Sequence, residues 1–138
     1  MNFGDINFVD VLIGLLSFII AGSIHEFSHA SAAYLLGDTT PQMNGRLTLN
    51  PIAHLDIWGT IFFPLFSAIS QFPVLGWMRP VPVNPRNFKN PSRGHAICAF
   101  AGPFSNLLQA SFIIIIIKLM VMSAHSFGIS NNVVFDFF

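Results

Sequence analysis

The stretch Val9–Leu36, VDVLIGLLSFIIAGSIHEFSHASAAYLL, is the most informative part of the sequence. It is longer than the roughly 20 apolar residues that cross a bilayer core as a helix. Between Asp10 and Asp38, its only charged or histidine side chains belong to the string His25–His29, HEFSH. No Lys or Arg precedes the stretch, which argues against a cleaved secretory signal peptide. The stretch therefore predicts a membrane-spanning helix that carries a polar cluster.

The composition of the whole chain favours a membrane protein. Of its 138 residues, 53% are hydrophobic and only 9% are charged, whereas about a quarter are charged in soluble domains. A net charge of zero excludes a nucleic-acid partner, which needs a basic surface. The single cysteine, Cys98, excludes an internal disulfide framework and a cysteine-rich zinc site. We expect one domain over residues 1–138, embedded in the lipid bilayer.

Three hydrophobic segments predict an all-α membrane protein with two or three full spans. The pair Gly37-Asp38 is typical of a helix end and closes the first segment. The second segment is broken by Pro64 and Pro73, which remove helix hydrogen bonds, so it predicts a kinked span or a re-entrant element. The segments cover residues 9–36, 57–77 and 95–123.

The two connections between these segments differ in their predicted structure. In the first, apolar and polar residues alternate over Gly45–Pro51, which predicts a short strand-like hairpin. The second, residues 78–93, is rich in proline and carries four of the six basic residues. By the positive-inside rule, this second connection is expected to face the cytoplasm.

The string at residues 25–29 predicts a metal site. On a helix, His25 and His29 share a face, so both imidazoles can bind one metal ion. Zinc bound there would lower the pKa of a water molecule to about 7, and Glu26 would accept its proton. Polar side chains within an apolar span are costly unless they are paired, and a metal ion supplies the partner.

Other interpretations of the string are open. A polar cluster that hydrogen-bonds between helices, or a helix end at the membrane interface, also accounts for these side chains. A bis-histidine haem site is disfavoured because His25 and His29 would crowd the same face of the ring. A metal or proton transporter usually distributes ionisable residues over several spans, and the other spans here are nearly bare.

A catalytic zinc site needs a third protein ligand, and the sequence offers few. His54, at the entry to the second segment, is the first choice. The other candidates are Asp56, His95, His125 and Asp136. Each of these side chains is also explained as a solvated or interfacial polar residue. Asn106, which follows Gly102-Pro103, can hydrogen-bond a substrate backbone or a water, or equally a neighbouring helix.

Four motifs in order resemble those of a known family. They are HEFSH at His25–His29, GRLTLNPIAHLD at Gly45–Asp56, GWMRPVPVNP at Gly76–Pro85 and AGPFSN at Ala101–Asn106. Over roughly residues 21–110, the chain resembles the site-2 proteases, zinc-dependent intramembrane metalloproteases, and most closely their compact bacterial branch without PDZ domains. The resemblance implies that His25 and His29 bind Zn²⁺, that Glu26 is the general base and that Asn106 positions the substrate.

The resemblance also implies an environment and a substrate class. We expect a multi-pass protein of the bacterial inner membrane that hydrolyses peptide bonds in transmembrane protein substrates. The family's third zinc ligand is an Asp in a Leu-Asp-Gly type motif on a later helix, and this sequence has no Asp-Gly pair. We therefore expect an incomplete core, in which His54 or a partner chain supplies the third ligand. The alternative is a truncated, inactive relative that acts as a membrane binding or scaffold protein.

Overall fold

The computed structural model describes residues 7–70 and 76–126, with the side chains of residues 125 and 126 excepted. The described part is helical, as predicted, and contains no strand. The helices are α1 (Phe8–Leu35), α2 (Thr40–Met43), α3 (Phe63–Ser70), which continues a π-helical turn at Ile57–Phe62, and α4 (Pro91–Ser126). The chain divides into two compact units, Met1–Asn106 and Leu107–Phe138, so the boundary between them falls within α4.

Helix α1 begins and ends at residues suited to those positions. The side chain of Asn7 accepts a hydrogen bond from the N–H of Val9 at 3.0 Å and so caps the first turn. At the other end, Gly37 has a φ of 99°, a left-handed conformation that glycine adopts without steric cost. The N–H of Asp38 then donates to the carbonyl of Ala33 at 2.9 Å. The prediction that Gly37-Asp38 ends the helix is confirmed.

Helices α1 and α4 are each long and apolar enough to cross a membrane. Their large apolar side chains are exposed along much of their length, as at Ile13, Leu16 and Ile114. Such continuous apolar exposure is costly in water and is satisfied by a hydrocarbon environment. The described residues thus contain two candidate spans.

In the second hydrophobic segment, the described residues form a short helix, and the last of them lies beside its beginning. Its six-residue π-helical turn and eight-residue α3 rise at most about 21 Å together at the α-helical 1.5 Å per residue, less than the roughly 30 Å of a bilayer core. Pro64 lacks an N–H, which removes one helix hydrogen bond near this π-to-α junction. Residues 71–75, which include Pro73, lie outside the described part. After them, Trp77 lies beside the start of the segment. There the N–H of Trp77 donates to the carbonyl of Gly59 at 3.0 Å.

The predicted strand-like hairpin over residues 45–51 is wrong. Gly45, with a φ of 66°, turns the chain so that the next N–H donates to the carbonyl of Pro41 at 2.8 Å. The carbonyl of Thr48 accepts a hydrogen bond from the ring of His54 at 2.8 Å. Backbone groups that a strand would use for pairing are therefore bound within the loop itself.

A small core joins α1 to the first part of α4. Ala33, Phe88 and Cys98 are buried against one another. Next to them, Asp38 is fully buried, and its carboxylate accepts hydrogen bonds from the N–H of Asn84 at 2.7 Å and from Nδ2 of Asn87 at 2.6 Å. The core contacts hold the second half of α1, which carries the His25–His29 string, against α4, and Asp38 ties the end of α1 to the connection before α4.

Candidate metal centre

The two imidazoles of the string point at a common position. His25 and His29 lie one turn apart on α1, with ring centroids 4.7 Å apart and ring planes at 81°. Their Nε2 atoms are 3.1 Å apart. Two nitrogens each about 2.0–2.1 Å from one tetrahedral zinc ion would be separated by about 3.3 Å. The pair therefore already has nearly the spacing that a shared metal ion requires.

The ring of His29 is oriented by the neighbouring helix. Its Nδ1 lies 2.6 Å from the carbonyl oxygen of Cys98 on α4. A carbonyl can only accept, so Nδ1 carries the hydrogen and Nε2 presents its lone pair. Such a contact to the second ring nitrogen is typical of metal-binding histidines. The Nδ1 of His25 is buried and has no hydrogen-bond partner within the described residues.

Gly102 of α4 leaves the space that the two imidazoles face. A Cβ atom built on Gly102 would lie 2.5 Å from Nε2 of His25 and closer still to Nε2 of His29. Any larger residue would therefore occupy the position between the two nitrogens. The spacing of these two donors, and the space beside them that the glycine keeps open, are compatible with a shared metal ion.

Glu26 lies beside this pair in a cavity of about 340 Å³. His29, His95 and Cys98 also line this cavity, together with Pro80, Val81 and Val83 of the second connection. Glu26 is partly exposed, so its carboxylate can meet water or a peptide that enters the cavity. The structure thus brings the predicted base and one predicted metal ligand to the same cavity.

His54 lies elsewhere in the structure. It is fully buried, its Nε2 contacts the Thr48 carbonyl and its own carbonyl accepts from the N–H of Arg79 at 2.8 Å. Among the side chains of residues 7–70 and 76–124, no group of three from His, Cys, Asp or Glu lies close enough to hold a metal ion. The described residues therefore do not join His54 to the pair on α1.

The remaining candidates have varied surroundings. Asp56 caps the second segment, with its side chain accepting from the N–H groups of Trp58 and Gly59 at 3.1 and 2.8 Å. Asn106 lies on α4 one turn after Gly102, with an exposed side chain. The side chain of His125 and all of Asp136 lie outside the described residues.

Two features of the site carried no recognisable signal in the sequence. The Cys98 carbonyl is a backbone group, which any residue supplies. Arg46 is 7% exposed, and burial together with the nearby charge of Arg79 lowers its pKa, while Glu26 acts in the opposite direction. A buried arginine within electrostatic reach of Glu26 was not expected from the loop sequence.

The fold and site define a helical protein with two candidate spans and a candidate histidine metal site beside a carboxylate. Over 122 residues, 88% of this chain, the sequence is 40% identical to the Bacillus subtilis (strain 168) protein named "Putative zinc metalloprotease YwhC". The chain spans about half of that relative's length, 51%. No protein-family model matches the chain, and no solved structure matches it. The similarity supports a metalloprotease relationship and, through the relative's name, zinc as the metal.

Proposed function

We propose that this protein takes part in zinc-dependent intramembrane proteolysis of the site-2 type, hydrolysing peptide bonds in transmembrane segments of membrane proteins. The strongest support is the approach of the His25 and His29 Nε2 atoms to 3.1 Å in front of Gly102. The 40% identical relative supports a metalloprotease at the coarser level.

The roles of the residues follow from their positions. His25 and His29 would hold the zinc ion. When bound, zinc would acidify a water molecule and polarise the scissile carbonyl. Glu26 accepts the proton of the attacking water and delivers it to the leaving amine nitrogen. Asn106, one turn along α4 from Gly102, hydrogen-bonds the substrate backbone.

The membrane arrangement is part of this proposal. Helices α1 and α4 act as spans of a multi-pass protein in the bacterial inner membrane, with residues 78–93 in the cytoplasm. Residues 57–77 form a re-entrant element, because the helical part is short and Trp77 returns to Gly59. The string at residues 25–29 then lies below the headgroups, where a metal ion offsets the cost of its polar side chains.

Substitution of Glu26 tests the proposed chemistry. In a reconstituted membrane, Glu26→Gln should lower cleavage of a transmembrane substrate by about 10²–10⁴-fold while zinc stays bound. His25→Ala should remove both zinc and cleavage. Zinc is measured by elemental analysis of the purified protein and cleavage by gel mobility of the substrate. Full cleavage by Glu26→Gln would exclude Glu26 as the base.

A second function, a membrane binding or scaffold protein without protease activity, is favoured by one observation. The described residues place no third ligand at the His25–His29 pair, and catalytic zinc sites use three. Under the protease proposal, the third ligand comes from outside the described residues. Under the scaffold proposal, transmembrane proteins bind without being cleaved, and neither His25→Ala nor Glu26→Gln changes that binding. Pull-down of a transmembrane substrate followed by a test for its cleavage separates the two proposals: wild type cleaves the bound substrate and Glu26→Gln does not under the first, and no form cleaves it under the second.

A further inference from the structure

A second cavity, of about 650 Å³, lies in the loop region and has no role in the proposed catalysis. Two arginines, Arg46 and Arg79, line it. None of the other residues that line this cavity, among those that the structure describes, carries a charge. Pro80 lines this cavity and also the one that contains Glu26. The basic cavity is therefore next to the candidate metal centre and separate from it.

No carboxylate lines this cavity or forms an ion pair with either arginine in the described part of the chain, and the attraction of Glu26, in the neighbouring cavity, only partly offsets the unfavourable surroundings of the Arg46 charge. The guanidinium of Arg46, in a side chain that is only 7% exposed, donates to the Ala53 carbonyl, which is neutral. Arg79 forms no ion pair within the described part of the chain, and its charge lowers the pKa of Arg46. Two neighbouring cations, one of them buried, are costly without an anion between them.

Large apolar side chains are exposed in the loop that forms this cavity. Ile52 lines the cavity and is 76% exposed, and Met43, which directly precedes the lining residue Asn44, is 83% exposed. Leu49, in the same loop, is also largely exposed. Apolar side chains beside a cationic cavity match the boundary between phosphate groups and acyl chains in a bilayer. An acidic peptide in water would leave these apolar side chains exposed.

We propose that the cavity lined by Arg46 and Arg79 binds the phosphate of an anionic phospholipid headgroup, with Met43 and Ile52 against the acyl chains. Arginine binds phosphate oxygens through its fork of N–H groups, which suits a site built from two guanidinium groups. This inference rests on the membrane location in the proposed function and not on its proteolytic chemistry.

Thermal unfolding of the full chain in a zwitterionic detergent tests this site. Dioctanoyl phosphatidylglycerol should raise the Tm, whereas dioctanoyl phosphatidylcholine at the same concentration should not. Arg79→Gln should weaken the apparent affinity for phosphatidylglycerol about fivefold, the usual contribution of one basic residue near an anionic surface. Arg86→Gln is the matched control, because Arg86 is exposed on the same loop and does not line this cavity. Arg46→Lys, which keeps the charge but loses the fork, should also weaken binding.

Each alternative outcome has a distinct meaning. An equal response of wild type and Arg79→Gln would overturn the site. A Tm increase with inorganic phosphate as large as that with phosphatidylglycerol would replace the lipid with free phosphate as the ligand. Binding of an acidic peptide, dependent on Arg79 and without any response to phosphatidylglycerol, would also overturn it. His25→Ala should keep the lipid response while losing zinc, so failure of the metal centre is distinguishable from failure of the lipid site.

Discussion

His29 donates its Nδ1 hydrogen to the carbonyl oxygen of Cys98, 2.6 Å away, where α1 packs on α4. The bond fixes the tautomer and leaves the lone pair on Nε2, which lies beside His25. The acceptor belongs to the backbone, although Cys98 is also one of the residues that line the cavity next to Glu26. The orientation of His29 should therefore be independent of the side chain at position 98.

Cys98→Ala should leave zinc binding within about twofold of wild type, because the orienting carbonyl is retained. The same change should cost about 1 kcal/mol of stability, because the side chain is 97% buried in the core between α1 and α4. Zinc affinity is measured by competition with a chelator, and stability by thermal unfolding in detergent. Loss of zinc without loss of fold would instead identify the thiolate as a metal ligand.

Gly102→Ala should weaken zinc binding by on the order of 10–100-fold, a loss comparable with that from disturbing the groups around a metal ligand. The added methyl would lie 2.5 Å from Nε2 of His25 and closer to His29, in the space between the two donors. Gly14→Ala is the control, because nothing lies within 4 Å of a Cβ at that position on α1. Both changes raise helix propensity, so a loss confined to Gly102→Ala reflects the site. Equal zinc binding by the two variants would contradict our assignment of the cradle.

Asp38 should make stability depend on pH in the acid range. Burial opposes its ionisation, but hydrogen bonds from Thr40, Asn84 and Asn87 outweigh burial and lower its pKa below the ordinary value of 3.8. The pKa of Asp38 is thus lower in the folded state than in the unfolded state. The contribution of its carboxylate to folding stability is therefore complete above about pH 4 and is lost as the pH falls through the lowered pKa.

Asp38→Asn should therefore cost about 2–3 kcal/mol near neutral pH, where the wild-type carboxylate accepts charge-assisted hydrogen bonds. The difference from wild type should shrink as the pH falls below 4. Asp10→Asn is the control, because Asp10 is exposed in the first turn of α1. Unfolding followed by circular dichroism across this pH range measures the effect, and a difference that does not vary with pH would contradict it.

Sequence reasoning placed the helices and the imidazole pair well because these depend on local spacing. Apolar length predicts α1 and α4, and a separation of four residues places His25 and His29 on one face. The Gly37-Asp38 end also follows from one residue's backbone freedom. These features need no knowledge of the rest of the chain.

The loop after α1 could not be predicted in the same way. Alternation of apolar and polar residues over positions 45–51 favours a strand only where a partner strand is available. Here the chain turns at Gly45, and the ring of His54 hydrogen-bonds the Thr48 carbonyl instead. A third metal ligand depends on contacts between residues distant in sequence, which the sequence alone does not give. The position of His54 at the entry to the second segment favoured it, but the structure buries His54 against the Thr48 carbonyl. The proximity of Gly102 to both imidazoles likewise depends on how α4 packs on α1.

Gly59 and Trp77 are in contact where the beginning and the end of the second hydrophobic segment lie side by side. A Cβ on Gly59 would lie 2.5 Å from Cδ1 and Cε2 of the Trp77 ring, so the ring can pack there only over glycine. Gly59→Ala should cost about 1–3 kcal/mol, the usual cost of overpacking. In a Trp77→Ala background, the same substitution should cost nearly nothing, because the obstructing ring is gone. Thermal unfolding of the two single variants and the double variant measures this coupling. If Gly59→Ala lowered the free energy of unfolding equally in both backgrounds, the contact between Gly59 and the Trp77 ring would not be the cause of the destabilisation.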